Sequence, residues 1–526
     1  MDSSTILTML GLTAAVLAII PKESKLDLSL RISKFDWTVI IVSLIFIHYI
    51  MYYPVLNELG LKYNFGKWKF GFNENNTTYL IFLFISLYLM IRFRFFKINK
   101  GNIEKFSELL EQLILKKKYE EASILVEKYF KDIEKIKSST SFRDRLACKI
   151  RPKNELDMFF DKEEKSGRYN LIPNEYLIRL SSFISVDDSY KDKASAIVSR
   201  LFNNKGFITF FAESKPYYFL ELLTSKSLHS DIQVKNFFNS LIDDKSSIFY
   251  YEIENNQNLK SGNRYFLDPN NKLLFGLLND CNIAKDLAVY KPIGDRVNDL
   301  LDYDEKLIDK YNEPLGNYYE SGLYQCPIYC GLQFFNIMIF ESLYQNIKWH
   351  MWLYYYQSFA KKIIKDLNSE AKIDLSKEWP TPFHFHLYTI ITNCLDWVYE
   401  VDAIENKNML NIDGSDLNHD NGSILKSSIL CLGNITYQII STNKLSRDFK
   451  LYILEIVLRE LVNNKFNDNY NLVNKLVMKS IVYNGYFNKV DLAYAQDLHE
   501  IFSEVDHVIT SELDDFKELL EAVLMS

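Results

Sequence analysis

Three apolar runs within the first 100 residues constrain the fold more strongly than any other feature of the chain. They cover residues 6–20, 37–55 and 77–96, and a helix needs about 20 apolar residues to cross a bilayer. The first run is slightly shorter than that, but it contains no charged residue. The sequence therefore predicts a membrane domain of residues 1–100 with three transmembrane helices.

The positions of Lys and Arg predict how these helices are oriented. The segment before the first run has neither residue, whereas four cations follow the first run and four follow the third. Because cytoplasmic loops of membrane proteins are enriched in Lys and Arg, we expect the N-terminus outside and the chain after residue 100 in the cytoplasm. Three lysines in the loop at residues 56–76 oppose this orientation. The supporting cations are Lys22, Lys25, Arg31, Lys34, Arg92, Arg94, Lys97 and Lys100.

Small residues in the first run predict contacts between helices inside the membrane. Gly11 and Ala15 lie about one helical turn apart, and small residues at this spacing let two helices approach closely. We therefore expect an oligomer that packs through this face.

A fourth apolar stretch, residues 334–356, is long enough to span a bilayer. Glu341, Lys348 and His350 interrupt it, and a Glu or Lys at the centre of a membrane helix costs about 2.5 to 3.5 kcal/mol on insertion scales. Aromatic and aliphatic residues recur in it near helical spacing. We interpret the stretch as a buried aromatic helix outside the membrane.

Residues 101–136 predict a helical hairpin, because apolar residues repeat at intervals of three and four on both sides of a lysine-rich break. Tyr119, Ala122 and Tyr129 resemble the second half of a tetratricopeptide repeat, over residues 103–136 only. The resemblance implies a protein-binding hairpin. The alternative is an ordinary pair of antiparallel helices.

The remaining chain predicts a large all-α region that is similar to helical repeats. Phe and Tyr are abundant at 37 and 35, while Gly and Pro are scarce at 17 and 11, a balance that favours long helices. We divide the region into a basic linker at 137–170, a middle helical domain at 171–404 and a C-terminal helical domain at 405–526. The aromatic run at residues 246–254 is the one candidate strand.

Cations on both sides of the hairpin predict contact with lipid headgroups. Each Lys or Arg near an anionic membrane surface adds about 1 kcal/mol to its binding. A solvated linker is the alternative for the cations of residues 137–170. The expected headgroup contacts are Arg92, Arg94, Lys97, Arg143 and Arg145.

The composition and the motifs give little support to catalysis. A net charge of -7 argues against nucleic acid as the main partner, and six scattered cysteines favour a reducing compartment. The commonest signatures of phosphate-binding loops, hydrolases, metalloproteases and kinases are missing from the sequence. We expect a protein that is not an enzyme and that has no cofactor.

Two weak patterns suggest metal binding. His384 and His386 would point to one side of an extended segment, and a helical turn would bring Cys394 to the same face. Asp416 and Asp420 lie in a polar loop whose spacing partly matches a calcium loop. Structural histidines and a capped surface loop are the alternatives, and we predict no metal site.

These observations predict a membrane-anchored helical scaffold or sensor that binds other proteins. Lys, Asn, Ile, Phe and Tyr are used heavily, as in AT-rich bacterial genes, so we expect the bacterial inner membrane. An anchor joined to a large helical region resembles components of bacterial anti-phage defence systems. Two alternatives are a membrane-disrupting effector that depolarises cells and an unrecognised nuclease or hydrolase.

Overall fold

The computed structural model of the chain describes residues 22–61, 74–138, 189–225, 231–257, 266–345, 347, 352–368, 374, 377–400, 424–467, 470–485 and 491–525. These residues form helices joined by turns and contain no strand, so the predicted all-α fold is confirmed. The chain divides into two compact units, residues 1–207 and residues 208–526.

Unit 1 contains the helices of the predicted membrane domain and those of the predicted hairpin. The helices are α1 (Lys22–Arg31), α2 (Lys34–Met51), α3 (Tyr53–Glu58), α4 (Glu74–Arg94), α5 (Ile103–Leu115), α6 (Tyr119–Ser138) and α7 (Ser189–Phe202).

Helices α2 and α4 pack against each other as an antiparallel pair, with the start of α2 beside the end of α4. Both are long and apolar enough to cross a membrane. They correspond to the second and third predicted spans. The predicted count of three is corrected to two candidate spans within the described chain, because the first run, residues 6–20, lies outside the described residues.

Helices α5, α6 and α7 of unit 1 pack together, and α1 contacts both α4 and α6. Phe106 and Val126 are fully buried between them, and Phe130 meets Phe202 edge to face. The turn between α5 and α6 passes through Lys117, whose φ of 55° lies in the left-handed region. The described part of the chain thus extends the hairpin by a third helix.

Unit 2 is built from helices of 4 to 18 residues. They are α8 (Lys205–Ser214, which begins at the end of unit 1), α9 (Pro216–Thr224), α10 (Asp231–Asp243), α11 (Ile248–Gln257), α12 (Lys272–Leu278), α13 (Cys281–Asp286), α14 (Tyr290–Tyr303), α15 (Glu305–Tyr311), α16 (Pro327–Tyr344), α17 (Trp352–Asp366), α18 (Pro382–Val398), α19 (Ile424–Ser441), α20 (Arg447–Asn463), α21 (Asn471–Val482), α22 (Leu492–Phe502), α23 (His507–Thr510) and α24 (Asp514–Leu524).

The fourth apolar stretch lies in the core of unit 2. Protein buries 16 of the 18 residues of α16, which packs against α11, α14, α18 and α19. A sharp bend of 75° separates α16 from the short helical turns at residues 318–325, and the two together have the length and composition of a broken span. Because its surface is already covered by protein, we interpret α16 as a core helix. The sequence prediction of one helix is corrected, since α16 ends at Tyr344 and α17 begins at Trp352.

The candidate strand at residues 246–254 is wrong, since residues 248–254 belong to α11 and the two residues before them form a turn. Phe249, Tyr250 and Ile253 are all buried, and their spacing of one and three residues fits one face of a helix. Alternation of buried and exposed residues, which a half-buried strand would need, is missing here.

Helices on the two sides of the predicted boundary at residue 405 belong to the same unit. Helix α19 packs against α17, α18 and α21, and Gly433 of α19 lies directly against Ser480 of α21. Residues 401–423 lie outside the described residues. Of the linker predicted at 137–170, the first two residues belong to the end of α6, and residues 139–170 lie outside the described residues.

Candidate membrane junction

The two candidate spans expose most of their apolar surface. The rest of the chain buries only 11% of the residues in the apolar segment Lys34–Met51 and 6% of those in an 18-residue apolar segment of Asn76–Arg94. A water-soluble protein rarely exposes a contiguous apolar surface of this extent, and lipid is the environment that would cover it. The most exposed side chains in the two helices include Phe35, Ile45, Phe84 and Met90.

A buried carboxylate joins the start of α2 to the end of α4. Asp36 is 1% exposed and accepts hydrogen bonds of 2.6 Å from both the backbone N–H and the hydroxyl of Ser33. The Tyr88 hydroxyl donates to the other oxygen of Asp36 at 2.5 Å, and Arg92 Nε lies 3.5 Å from it. Because each partner sits on a different turn, this cluster fixes the register of the two helices.

A second polar cluster joins α1, the end of α4 and α6. The Arg31 guanidinium donates to the Phe93 carbonyl and pairs with Asp27 at 2.7 Å, and it also lies 3.3 Å from the Tyr129 hydroxyl. The Tyr129 hydroxyl donates to Asp27, and Lys128 pairs with the same carboxylate at 2.6 Å. One arginine thus contacts all three helices at once.

The ionisation of this cluster supports its role as an ion pair. Burial opposes the charge on Asp27, but hydrogen bonds from Lys128, Tyr129 and Arg31 outweigh burial and lower the pKa of Asp27. Burial also works against the charge on Arg31, and the bond to Asp27 raises its pKa despite that. Burial and the neighbouring Asp27 raise the pKa of Tyr129. Arg31 and Asp27 are therefore charged and Tyr129 is neutral at physiological pH.

Aromatic rings surround the polar cluster on the α6 side. The Tyr129 ring meets Phe96 and Phe106 edge to face, with centroids 5.9 and 5.8 Å apart, and the Arg31 guanidinium lies 5.7 Å from the centre of Phe96. We call Asp27, Arg31, Phe96 and Tyr129 the membrane junction. Its contacts connect the end of α4 to α6 through hydrogen bonds and ring packing.

The predicted headgroup cations differ in their surroundings. Arg92 is partly engaged by Asp36, whereas Arg94 and Lys97 are exposed, and their side chains make no ion pair or hydrogen bond with the residues that the structure describes. Arg143 and Arg145 lie outside the described residues, as do Gly11 and Ala15 of the predicted helix-packing face.

The two histidines of the candidate metal site point to different neighbours. Both lie on α18, where a separation of two residues turns their side chains about 200° apart. His384 Nδ1 lies 2.8 Å from the Thr381 hydroxyl, while His386 Nε2 lies 3.1 Å from the Tyr318 hydroxyl and 3.7 Å from Cys326 Sγ. The extended geometry that would have aimed both imidazoles at one metal does not occur.

The pair formed by Cys326 and His386 is not poised for nucleophilic chemistry. Burial lowers the pKa of His386 to about 3 and raises the pKa of the Cys326 thiol. An activated cysteine needs the opposite shift, towards a thiolate beside an imidazolium. Both groups are neutral at physiological pH and serve to fill and bond the core of unit 2.

Metal ligands do not converge elsewhere in the described ranges. Within them, no three His, Cys, Asp or Glu side chains are placed to hold an ion. Cys394 is buried against Cys431 of α19 and not beside His386. Asp416 and Asp420 lie outside the described residues.

Sequence reasoning singled out Arg31, Arg92 and Tyr129 for other reasons, and it missed their partners Asp27 and Asp36, although local signals were present. Ser33 and Asp36 have the Ser-x-x-Asp spacing of a capping box, and both reciprocal bonds are formed. Asp27 and Arg31 have the spacing of an ion pair on one helix face. No local signal connects Asp27 with Tyr129, which lies 102 residues later.

Comparisons of the chain with protein-family models, with curated proteins and with solved structures found no match.

Proposed function

We propose that the chain is a membrane-anchored helical scaffold or sensor. In this proposal α2 and α4 hold it in a bilayer, the helices from α5 onward bind a protein partner, and the membrane junction links the two regions. The observation that carries the proposal is the Arg31 guanidinium, which contacts the Phe93 carbonyl at the end of a candidate span and Tyr129 of α6 together.

The antiparallel arrangement of α2 and α4 supports a topology in which the basic segment before α2 and the basic segment after α4 lie on the same side of the membrane. Asp36 near the start of α2 contacts Tyr88 and Arg92 near the end of α4, so the chain before α2 and the chain after α4 leave the pair at the same end. With the positive-inside rule, we propose that this end faces the cytoplasm of a bacterial inner membrane.

Affinity capture tests the protein-binding part of the proposal. The tagged full-length chain, solubilised in a mild detergent, should retain a specific partner that an unrelated membrane protein of similar size does not. Failure to enrich any partner over that control, in cells that express the chain at its native level, would contradict a scaffold and a sensor alike.

Hydrogen exchange then separates a sensor from a scaffold. If the junction transmits a signal, binding of the captured partner changes the rate of amide hydrogen exchange in residues 88–96 of the wild type. The same binding leaves that rate unchanged in the Arg31→Gln variant. A scaffold binds the same partner with exchange in this segment unchanged. Lys116→Gln, at the exposed far end of the hairpin, is the matched control and should behave as the wild type.

A membrane-disrupting effector is the second candidate, and the largely uncovered faces of α2 and α4 favour it because further spanning helices have room to pack there. It predicts that induced expression depolarises cells, as a potential-sensitive dye reports. An unchanged membrane potential at full expression would exclude it. A role in anti-phage defence stays a prediction, for which survival of phage challenge with and without the gene is the measurement.

A further inference from the structure

The end of the α2/α4 pair that adjoins the membrane junction carries several cations, and protein groups engage most of them. Arg31 pairs with Asp27, Arg92 lies near Asp36, and the Lys105 ammonium reaches the Ile32 carbonyl at 3.4 Å. The Lys100 ammonium lies 3.8 Å above the ring of Tyr190. Each of these four cations thus contacts a group of unit 1.

Three cations at the same end are left over. Lys34 begins α2, Arg94 ends α4, and Lys97 follows it within one turn. Their side chains are exposed, and among the described residues they form no ion pair or hydrogen bond. Three exposed positive charges beside an apolar surface create a positive potential that attracts anionic groups.

Exposed aromatic residues lie at the level of these cations. Phe35 is 68% exposed, Trp37 is 54% exposed and Phe95 is 70% exposed. Aromatic side chains of this kind, Trp above all, gather where a spanning helix passes from hydrocarbon to headgroups. If α2 and α4 span a bilayer as proposed, Lys34, Arg94 and Lys97 lie at the depth of the lipid phosphates.

We propose that Lys34, Arg94 and Lys97 form a binding surface for the headgroups of anionic phospholipids. This inference rests on the proposed membrane anchoring and refines it. Arg92 is assigned to the helix pair, because Asp36 engages it, and Lys34 takes its place among the headgroup contacts. The surface lies beside the membrane junction. Anionic lipids bound there and a protein partner bound to α5 and α6 would therefore act on the same helices.

Native mass spectrometry of the full-length chain tests this surface. The protein is released from nanodiscs that contain equal amounts of dioleoylphosphatidylglycerol and dioleoylphosphatidylcholine, and the retained lipids are counted. The wild type should retain phosphatidylglycerol in clear excess, and Arg94→Gln/Lys97→Gln should lose about fivefold in that preference for each charge removed.

Two comparisons make the result specific. Lys116→Gln/Lys117→Gln removes the same charge at the other end of α5, about 20 Å along the helix, and should keep the wild-type preference. Arg92→Gln should lower thermal stability equally in both lipids and leave the preference unchanged, because it disturbs the contact with Asp36.

The outcomes separate this inference from the proposed function. If the wild type integrates into nanodiscs but retains both lipids equally, or if both double variants lose the preference alike, the headgroup surface is wrong and the anchor stands. If the full-length chain stays in the supernatant after alkaline extraction of membranes, the anchor itself is wrong, and the surface with it.

Discussion

At the scale of single residues, Tyr129 combines two separable kinds of contact. Its ring packs against Phe96 and Phe106, while its hydroxyl bonds to Asp27 and Arg31. The ring contributes to the core of the helical bundle, and the hydroxyl contributes to the polar link with α1. A substitution that removes only the hydroxyl therefore probes the link alone.

Tyr129→Phe should lower the free energy of unfolding by about 1.5 kcal/mol, the lower end of the range for hydrogen bonds to charged groups, because Asp27 and Arg31 are partly solvated. Thermal unfolding in detergent measures the change. Tyr303→Phe, whose side chain is 80% exposed, is the matched control and should be neutral. Equal stability of both variants would contradict the proposed link.

The buried histidines of α18 should make stability depend on pH. Burial lowers the pKa of His384 to about 4 and that of His386 to about 3, whereas an unfolded histidine titrates near 6.5. Below pH 6.5 the unfolded chain binds protons that the folded chain does not, so stability falls as the pH falls towards 4. Each histidine contributes at most about 1.4 kcal/mol per pH unit in this window, and about half of that at pH 6.5, where the unfolded histidine is half protonated.

The measurement for these histidines is the melting temperature of the full-length chain between pH 7 and pH 5.5. His384→Gln/His386→Gln should show a smaller decrease over this interval than the wild type. His507→Gln, in which the replaced side chain is exposed, should keep the wild-type decrease. The same pH dependence in all three proteins would show that the buried pair does not govern it.

At the scale of elements, the crossing of α19 and α21 depends on the lack of a side chain at Gly433. A Cβ atom there would overlap both the side chain and the backbone of Ser480, and the Ser480 hydroxyl donates to the Ile429 carbonyl at 2.8 Å. Backbone atoms cannot rotate away as a flexible side chain can. The two helices would have to separate to admit even one methyl group.

Gly433→Ala should therefore lower the free energy of unfolding of unit 2. Overpacking costs about 1 to 3 kcal/mol, which exceeds the gain of about 1 kcal/mol from the higher helix propensity of alanine. Gly101→Ala, where the nearest atom would be 3.4 Å away, should change stability by less than about 0.5 kcal/mol. Chemical unfolding in detergent compares the two variants. A more stable Gly433→Ala protein would show that the crossing is looser than described.

At the scale of the whole molecule, apolar surface is used in two different ways. The helices α2 and α4 expose it, whereas α16, with similar hydrophobic content, is enclosed by other helices of unit 2. Length alone does not separate these cases, since α2 and α16 both have 18 residues. The environment of each apolar helix depends on whether other helices of the chain pack around it.

Ile45→Lys should reduce membrane integration, because a lysine near the centre of a spanning helix costs about 2.5 to 3.5 kcal/mol. Ile45 is 62% exposed on α2. The measurement is the fraction of full-length chain that stays with the membrane after alkaline extraction. Leu115→Lys, at a position 77% exposed on α5, should remain integrated as the wild type does. Equal extraction of the two variants would remove the support for α2 as a span.

The sequence by itself determined the helical class, the two described candidate spans and the two helices of the hairpin. These features depend on apolar periodicity and on run length, which are properties of residues close together in the chain. The Ser33–Asp36 capping box belongs to the same local category.

Only the tertiary structure decided which partners those residues meet. Asp27 accepts a hydrogen bond from Tyr129, which lies 102 residues later in the chain. Arg92 lies near Asp36, whereas Arg94 does not. His384 and His386 point to different sides because their segment is a helix and not an extended strand. The physical reason is that a charge or an imidazole takes its pKa and its role from burial and from its neighbours. Those neighbours come from distant segments that no local pattern brings together.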